Sequence, residues 1–392
     1  MNPPKRTPVE QIRVEHRLKV IRALRDHGPQ SRVELCESLS LAPTTMTKLV
    51  ADLLQEGLID ESGVQTQSGG VGRPRLELRL VPESRHIVSV AIAPEGLDWA
   101  MVKLDLSVAR QGRVAFPVAS RPPQDTLDAV AALVSELVGM PRGKHNAGPS
   151  GVAIAVPGFV DDQMRVSLRA PHIGWSHVAI ADHLEAQLEL PVVVHNNARA
   201  MALAELQQLR ADGVPPLLYV QAKHGMGAAI IDSPASVLQR HYVLSELGNI
   251  PVQRHASAAD GPDDLRLGAV VNEQYLQSVL GLKAGAADVV PELERRALAG
   301  EEAAARLYAQ TVHYLAIGLG IAIDLLNPRT IVLGGIYALA SDRFLDDLLA
   351  DIKRQALGEF TQQIRLLRSS LVGQGAQIGA AMVGMERFLA LH

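Results

Sequence analysis

The chain has little of several residue types, and each shortage excludes a class of protein. Its single cysteine, Cys36, excludes an internal disulfide and any metal site with two or more cysteine ligands. Aromatic residues make up 3% of the 392 residues, too few for a platform that stacks single-stranded nucleic acid. The longest apolar run, at 314–323, falls short of the roughly 20 residues that a membrane span needs. Because no apolar signal-peptide segment opens the sequence, we expect a cytoplasmic protein that makes no membrane contact.

The composition is sufficient for a folded core, and the net charge differs between the two parts of the chain. Apolar residues account for 47% and charged residues for 20%, which at this length suits two or three folded domains. Residues 1–86 carry 13 Lys and Arg against 11 Asp and Glu, a net charge of +2. The remainder carries 25 against 31, a net charge of −6. This difference in sign is typical of a nucleic-acid-binding domain attached to an acidic body.

Two helical patterns open the chain. Apolar residues recur at helical spacing over 14–24, and the Gly-Pro pair at 28–29 ends this first helix. Ser31 is the expected N-cap of a short second helix, in which Glu34 completes a capping box. Three residues of the second helix are expected to face inward: Val33, Cys36 and Leu39.

A third helix is predicted to begin at Pro43, with apolar residues recurring at helical spacing from Met46 to Leu54. A short helix, a turn and a helix that presents small polar side chains form a helix-turn-helix. Hydroxyl groups there contact base edges or phosphates, and a helix N-terminus favours phosphate. The predicted DNA contacts on the exposed face of this helix are Thr44, Thr45, Thr47 and Lys48.

Two short runs after the third helix predict a β-hairpin. The runs at 58–63 and 76–80 flank a tip at 69–75 that reads Gly-Gly-Val-Gly-Arg-Pro-Arg. A hairpin beside a helix-turn-helix is the wing of a winged helix, and an extended Gly-Arg-Pro segment is slim enough to place an arginine in a minor groove. Arg73 and Arg75 are therefore predicted DNA contacts. The alternatives are a three-helix protein-interaction module and an ordinary flexible hairpin.

From Arg85 onward, strands and helices alternate in two similar halves. Strands are expected at 86–93, 99–106, 113–118, 151–156 and 191–194 in the first half, and at 217–222, 227–231 and 330–333 in the second. Long helices are expected at 126–138 and at about 301–326. Buried strands that end in glycines indicate α/β sheets with ligand groups at the carboxyl ends of the strands. The two halves would enclose a cleft.

Five stretches make the chain resemble the ROK family, which contains bacterial sugar kinases, sugar-responsive repressors and open reading frames of unknown role. They lie at 69–74, at 155–158 with 169–175, at 195–200, at 245–249, and at 327–328 with 334–335. The resemblance implies an α/β protein in which a winged helix-turn-helix precedes two actin-like (ribonuclease-H-like) lobes, with sugar bound between the lobes. The winged helix is found only in the repressor branch of the family. The expected domains are 1–82, 83–205 and 206–392.

Two departures from the family's kinases remove catalytic groups. The family's Asp-x-Gly-x-Thr turn, which holds metal and nucleotide phosphate, corresponds here to Ala-Ile-Ala-Pro-Glu at 91–95. The family's catalytic base ends a Glu-Asn-Asp triplet that corresponds to His195, Asn196 and Asn197, and an amide cannot accept the proton of a sugar hydroxyl. The segment at 224–228 resembles a remnant of a phosphate loop without a Walker lysine. We therefore expect no enzyme activity and no nucleotide cofactor.

The resemblance also implies a zinc site and a sugar site. Asn249 stands at a position where the family has a zinc-binding histidine, and residues 260–273 contain no cysteine, so no metal is expected. A polyol can still bind, because amides and carboxylates form paired hydrogen bonds with adjacent hydroxyls. The alternative is that these polar groups only cap helices and turns. The predicted effector-binding residues are His172, Asn196, Asn197, Glu246, Asn249 and Glu273.

These features together predict a sequence-specific DNA-binding transcriptional regulator. We expect it to repress carbohydrate-related genes from a double-stranded operator, as a homodimer or homotetramer, until a sugar-like effector shifts the spacing of its winged helices. The helices after Glu301 are the expected oligomer contact, or else domain core. Two alternatives remain open: an active sugar kinase with an appended DNA-binding domain, and a ligand-blind regulator whose body only oligomerises or binds a protein partner.

Overall fold

The structure is a computed structural model that describes residues 7–62, 76–139, 148–209, 215–232, 244–253, 265–283 and 288–390. The wing tip at 69–75 lies outside these residues, so the predictions for Arg73 and Arg75 stay predictions. Short 3-10 turns lie at Pro82–Ser84, Val118–Ser120, Pro171–Ile173, Leu247–Asn249 and Ile336–Leu339.

The described residues from Thr7 to Leu80 fold as a winged helix. Its helices are α1 (Pro8–His27), α2 (Arg32–Leu39) and α3 (Pro43–Gln55). Its antiparallel sheet has the order β1-β3-β2, from β1 (Gln30–Ser31), β2 (Ile59–Ser62) and β3 (Glu77–Leu80). The predicted capping box between Ser31 and Glu34 is confirmed, as is Pro43 at the start of α3.

One inward residue of α2 was predicted wrongly. Val33 is 48% exposed, whereas Leu35 is fully buried and Cys36 and Leu39 pack partly against the same core. Because each helical residue turns the side chain by about 100°, a residue two positions before Leu35 lies roughly on the opposite face. The buried face of α2 is therefore set by Leu35.

The first lobe is built on a five-stranded mixed sheet. Its strands are β4 (His86–Ala93), β5 (Gly96–Lys103), β6 (Val108–Ala115), β7 (Pro149–Val156) and β11 (Val192–Asn196), with helices α4 (Pro123–Gly139) and α5 (Ile180–Leu188). The sheet order is β11-β7-β4-β5-β6. A small antiparallel sheet, β10-β9-β8, is formed by β8 (Phe159–Val160), β9 (Ser167–Ala170) and β10 (Trp175–Val178).

The second lobe repeats this arrangement. Its sheet contains β12 (Leu217–Ala222), β13 (Met226–Ile231), β14 (Leu244–Ser245), β17 (Thr330–Gly335) and β18 (Arg365–Arg368), in the order β14-β13-β12-β17-β18. In both sheets the first strand pairs antiparallel with the second and parallel with the fourth, and the fifth strand is parallel to the fourth. This shared order, 3-2-1-4-5 along the chain, confirms the two actin-like lobes.

The remaining elements of the second lobe surround its sheet. They are β15 (Pro251–Gln253), β16 (Leu265–Arg266), α7 (Leu267–Val270), α8 (Glu273–Leu280), α9 (Val289–Leu298), α10 (Glu302–Leu326), α11 (Asp342–Gln355) and α12 (Gly358–Thr361). By length and composition α10 is apolar enough to cross a membrane, but half of its most apolar window is buried inside the lobe. Leu315, Leu319 and Ile323 form its buried face, so α10 is a core helix here.

Two further helices connect the parts of the molecule. Helix α6 (Asn197–Leu209) follows the last strand of the first sheet and precedes the first strand of the second. Helix α13 (Gly375–Leu389) follows the second sheet in sequence but packs on α6 and on strands β4 and β7 of the first. One buried apolar cluster runs from the winged helix through α13 and α6 to both sheets. The domain limits stay a prediction, and α13 packs with the first lobe although it follows the second.

Candidate effector cleft and nucleic-acid interface

Helix α3 separates an apolar face from a polar one. Its buried residues are Met46, Leu49, Val50 and Leu53. Thr44, Thr47 and Lys48 are exposed and Thr45 is half-buried, so the four predicted contacts lie together on the first turns of α3. The N-cap residue, Ala42, makes no side-chain hydrogen bond to the helix. The first N–H groups of α3 are therefore not capped by that side chain, as binding of a DNA phosphate at this end requires.

Two side chains on α3 have their polar groups engaged by the protein. Thr47 Oγ1 donates to the carbonyl oxygen of Pro43 at 2.8 Å. This leaves the methyl group and an acceptor lone pair of Thr47 for DNA, since its hydroxyl proton is used. Asp52, one turn after Lys48, accepts from Arg13 Nη2 at 2.6 Å. That pairing offsets a negative charge that would otherwise oppose phosphate.

Ion pairs fix the base of the wing. Arg79 on β3 contacts Asp60 on β2 at 2.6 Å, and Arg32 at the start of α2 contacts Glu61 at 2.6 Å. The hairpin register places Asp60 directly opposite Arg79. Since exposed ion pairs add little stability, we interpret these two contacts as orienting the hairpin.

A cleft of about 830 Å³ lies between the two lobes. It is lined by the ends of β4, β7 and β11 from the first lobe, by the β12–β13 turn and the start of α8 from the second, and by the start of α13. All six predicted effector-binding residues lie in its wall: His172, Asn196, Asn197, Glu246, Asn249 and Glu273. Their contact with an effector stays a prediction.

The two asparagines at the start of α6 differ in how many of their polar groups are hydrogen-bonded within the protein. Asn196 is buried, donates from Nδ2 to the Gly158 carbonyl at 2.6 Å and accepts the N–H of Arg199 at 2.9 Å. It therefore caps α6 and holds the Gly158 turn. Asn197 is half-buried, and its Oδ1 accepts the N–H of Ala198 at 2.8 Å. With its carbonyl engaged, Asn197 offers its amide N–H groups to the cleft as donors.

The second lobe contributes acceptors. Glu246 accepts from Asn249 Nδ2 at 3.0 Å, and both side chains are exposed in the cleft. Glu273, at the first turn of α8, is half-buried and accepts from Gln277 at 3.3 Å. Carboxylates of this kind have lone pairs left for ligand hydroxyls. Donors from one lobe and acceptors from the other therefore face the same space.

The lobes meet at the turn between β4 and β5 and the turn between β12 and β13. His224 Nε2 lies 2.9 Å from Glu95 Oε1, within ion-pair distance but not in hydrogen-bonding geometry. The ring of His172 covers Gly225 so closely that an added β-carbon there would lie 2.8 Å from the ring. Burial lowers the pKa of His224, although Glu95 opposes the shift. The two lobes are therefore in direct contact at the cleft.

Several cleft residues were not predicted from the sequence. Phe159, Arg169, Asp98 and Lys223 also lie in the wall, and burial raises the pKa of Asp98. Lys223 adjoins the 224–228 segment that the sequence marks, whereas Asp98 lies on a strand without a motif. Only the topology, which places β5 beside the β12–β13 turn, brings Asp98 to the cleft.

Two other sequence features have structural roles. His195 is fully buried, and burial lowers its pKa to about 4. It does not line the cleft, so the residue at the position of the family's glutamate is part of the core. At Gly334 an added β-carbon would lie 2.0 Å from the Tyr219 hydroxyl, and Gly335 has a φ of +65°. This glycine pair therefore ends β17 in close contact with Tyr219 and the backbone of Ala222.

The metal prediction is tested only in part. Among the described residues there is no group of three or more His, Cys, Asp or Glu side chains that could hold a metal ion. Residues 233–243 and 254–264, which include His241 and His255, lie outside that part of the chain. The absence of a metal stays a prediction.

Comparisons with known proteins agree with the winged helix and with the two-lobed α/β body. The ROK family pattern matches residues 88–386, and a winged helix-turn-helix DNA-binding pattern matches residues 14–60. The DNA-binding transcriptional dual regulator NagC of Escherichia coli K12 is 25% identical over 384 residues, covering 95% of this chain and 92% of NagC.

Two solved structures show how far the fold extends. A ROK family transcriptional regulator, a homologue of the Escherichia coli Mlc protein, superposes with a TM-score of 0.80 at 22% identity over 97% of this chain and 98% of its own. A ROK glucokinase from Streptomyces griseus, solved with glucose and AMPPNP, has a TM-score of 0.60 at 23% identity and covers 76% of this chain and 98% of its own. The regulator thus matches both domains together, and the glucokinase matches a smaller part of the chain.

Proposed function

This chain belongs to the ROK family as a DNA-binding transcriptional regulator with an N-terminal winged helix, and we propose that it represses carbohydrate-related genes until a sugar-like effector binds between its lobes. The observation that carries this proposal is a helix that joins the two sites. Helix α6 begins at the cleft with Asn197 and contacts the winged helix ten residues later at Gln207. Ten residues of helix span about 15 Å.

The contact at the far end of α6 is made to α1 of the winged helix. Gln207 Nε2 donates to Asp26 Oδ1 at 2.7 Å, and Arg25 Nη2 donates to Gln207 Oε1 at 3.3 Å. Arg25 also forms an ion pair with Asp26 at 2.8 Å, so each of the three side chains contacts the other two. A shift of α6 therefore displaces groups that hold the last turn of α1.

Helix α13 makes a second contact with α1. Arg22 donates from Nε and Nη2 to the two carboxylate oxygens of Glu386, at 2.7 and 2.6 Å. Glu386 is 3% exposed, so this bidentate pair is well shielded from water. Because α6 packs on β12 and β13 of the second sheet and α13 packs on β4 and β7 of the first, a change in the angle between the lobes would reorient the winged helix. An effector that binds one lobe arrangement more tightly would shift the population toward it and change operator affinity.

We further propose that the chain is not a sugar kinase. Ala91 stands at the position of the metal-binding aspartate and Asn197 at that of the catalytic base, so both groups are missing. Release of ADP from ATP and magnesium in the presence of any sugar would restore the kinase alternative.

A homodimer or homotetramer would place two winged helices on one operator. Winged helices and related domains bind half-sites about one DNA turn apart, so operator symmetry follows that of the protein. Ile321 and Leu325 on the outer face of α10 are 38% and 77% exposed and suit a contact between copies. Sedimentation of wild type and Leu325→Glu tests this: a smaller species for the variant supports the contact, and unchanged sedimentation rejects it.

Operator binding is tested by selecting duplexes from fragmented genomic DNA and titrating the selected sequence by fluorescence anisotropy. Lys48→Ala should weaken binding and reduce the slope of log K against log salt by about 1, as loss of one phosphate contact does. Lys353→Ala, on the exposed part of α11 in the second lobe, removes the same charge and should leave both quantities unchanged. Equal effects of the two substitutions would reject α3 as the DNA-reading helix.

The effector is tested by a thermal-shift panel of sugars, sugar phosphates and polyols, each with and without ATP and magnesium. A ligand at 100 times its Kd stabilises the folded state by about 2.7 kcal/mol, which is readily measured. A stabilising sugar whose effect does not depend on ATP supports an effector site. No shift across the panel would favour the ligand-blind regulator.

A further inference from the structure

Phe159 is an exposed aromatic side chain in the wall of the cleft between the lobes. The chain has five phenylalanines, all of them within the described residues. Phe344 and Phe388 are buried, Phe116 and Phe360 are half-buried, and Phe159 is 37% exposed. Exposing a phenyl ring forgoes part of the roughly 25 cal/mol per Å² that its burial would contribute. An exposed phenyl ring in the wall of a cleft can contact a ligand, whereas single exposed apolar residues on an open surface are common and indicate no function.

The backbone around Phe159 holds the ring in place. Gly158 has a φ of +79°, and a β-carbon there would lie 2.0 Å from the Arg169 carbonyl oxygen. Only glycine lets β8 approach β9 this closely. On its other side, the Gly158 carbonyl accepts from the buried Asn196 side chain at 2.6 Å. The strand that carries Phe159 is therefore fixed between β9 and the start of α6.

Arg169 is the neighbour of Phe159 on the same face. The two residues are directly opposite each other in the β8–β9 antiparallel pair, which places their side chains on one side of the small sheet. Both line the cleft. An apolar ring and a guanidinium that donates hydrogen bonds thus stand side by side in the same cleft that the amides of α6 and the carboxylates of the second lobe line.

We propose that Phe159 is the platform on which a pyranose ring stacks, which rests on the proposed effector function and narrows it to a ring-form sugar. A pyranose has a face of C–H groups and an edge of hydroxyls. The negative face of a phenyl ring attracts the C–H face, while Asn197, Glu246 and Arg169 bond the oxygens at the edge. An open-chain alditol has the same hydroxyls but no rigid C–H face, so it should bind worse than its parent sugar.

The test compares ring-form sugars with their alditols in wild type and in variants of Phe159. The probes are D-glucose, N-acetyl-D-glucosamine and D-xylose with their three alditols, titrated by calorimetry. Phe159→Leu keeps an apolar side chain without the aromatic face and should weaken the best pyranose by about fivefold to tenfold. Phe159→Trp restores an aromatic face and should bind within about threefold of wild type, with a change in tryptophan emission on binding.

Leu168→Ala is the matched control, because Leu168 is 36% exposed on β9 beside the platform but does not line the cleft. It should bind as wild type does. Wild-type affinity of Phe159→Leu, or equal binding of a sugar and its alditol, would overturn the platform while leaving the effector function standing. Failure of these probes and of every ligand in the thermal-shift panel to bind wild type would overturn both.

Discussion

Gly379 of α13 lies so close to Ala200 of α6 that a β-carbon added at Gly379 would stand 1.8 Å from the Ala200 carbonyl oxygen. Cβ atoms essentially never approach another heavy atom within 3.0 Å, so this crossing requires glycine. The two helices that cross here are also the two that contact α1 of the winged helix. The Gly379–Ala200 contact therefore fixes the separation of two helices that both contact α1.

Gly379→Ala should force α6 and α13 apart. We expect a loss of about 1–3 kcal/mol in the free energy of unfolding, as overpacking of a tight core produces, and a lower melting temperature. Gly320→Ala in the interior of α10 is the matched control, because its added carbon would have no neighbour nearer than 3.6 Å, an ordinary van der Waals contact. Both substitutions gain the same helix propensity. Equal melting temperatures for the two variants would contradict the tight crossing.

The Arg22–Glu386 pair should behave as a shielded ion pair. Arg22→Met leaves the Glu386 carboxylate buried without its cation and should cost about 3 kcal/mol in the free energy of unfolding. Adding Glu386→Leu removes that stranded charge, so the double variant should recover most of the loss. Urea denaturation of wild type, both single variants and the double variant gives the coupling energy. Additive losses would show that the pair does not couple α1 to α13.

The sequence predicted the strands whose residues are nearly all buried, because burial produces a recognisable apolar run. Strands β4 and β12 lie where the sequence places them, because each is a short, nearly continuous apolar run. Strand β5 was expected at 99–106 and lies at Gly96–Lys103. It ends early because Ser107 bonds the Asp105 side chain in a turn, with no Gly-Pro pair to mark it. Side-chain turns of this kind are not visible in periodicity.

The cleft was predictable only in the parts that carry family motifs. Asn197 and Glu246 lie in recognisable stretches, and the structure brings both to the cleft wall. Asp98 lies on a strand that no motif marks, and Phe159 directly follows the family stretch at 155–158 but its exposure in the cleft depends on tertiary pairing. The contacts from Gln207 to α1 join residues about 180 positions apart in sequence.

Arg73→Ala should weaken operator binding without unfolding the protein. An arginine in the minor groove is held best where A·T pairs narrow that groove. Replacing A·T pairs that flank the operator half-site by G·C pairs should therefore weaken wild type and have little effect on the variant, as measured by anisotropy. Operator affinity that is unchanged in the variant would reject the minor-groove contact.

His195 should make stability depend on pH. Its pKa is about 4 in the folded chain because burial disfavours the charged ring, and about 6.5 when unfolded. The unfolded chain binds more protons between these values, so the free energy of unfolding falls as pH drops from 6.5 towards 4, by about 3 kcal/mol in all. Urea denaturation of His195→Gln should show a smaller dependence over this range. An identical dependence in both proteins would place the effect elsewhere.

The most direct test of the account is operator affinity with and without the sugar that stabilises the protein in the thermal-shift panel. By anisotropy, a saturating sugar should raise the operator Kd of wild type by about tenfold, within the usual range of coupling between two sites. Gln207→Leu, which removes the bonds from α6 to α1, should bind the same sugar but show a smaller change in operator Kd. An operator Kd that does not change when the sugar saturates the wild-type cleft would contradict the central claim.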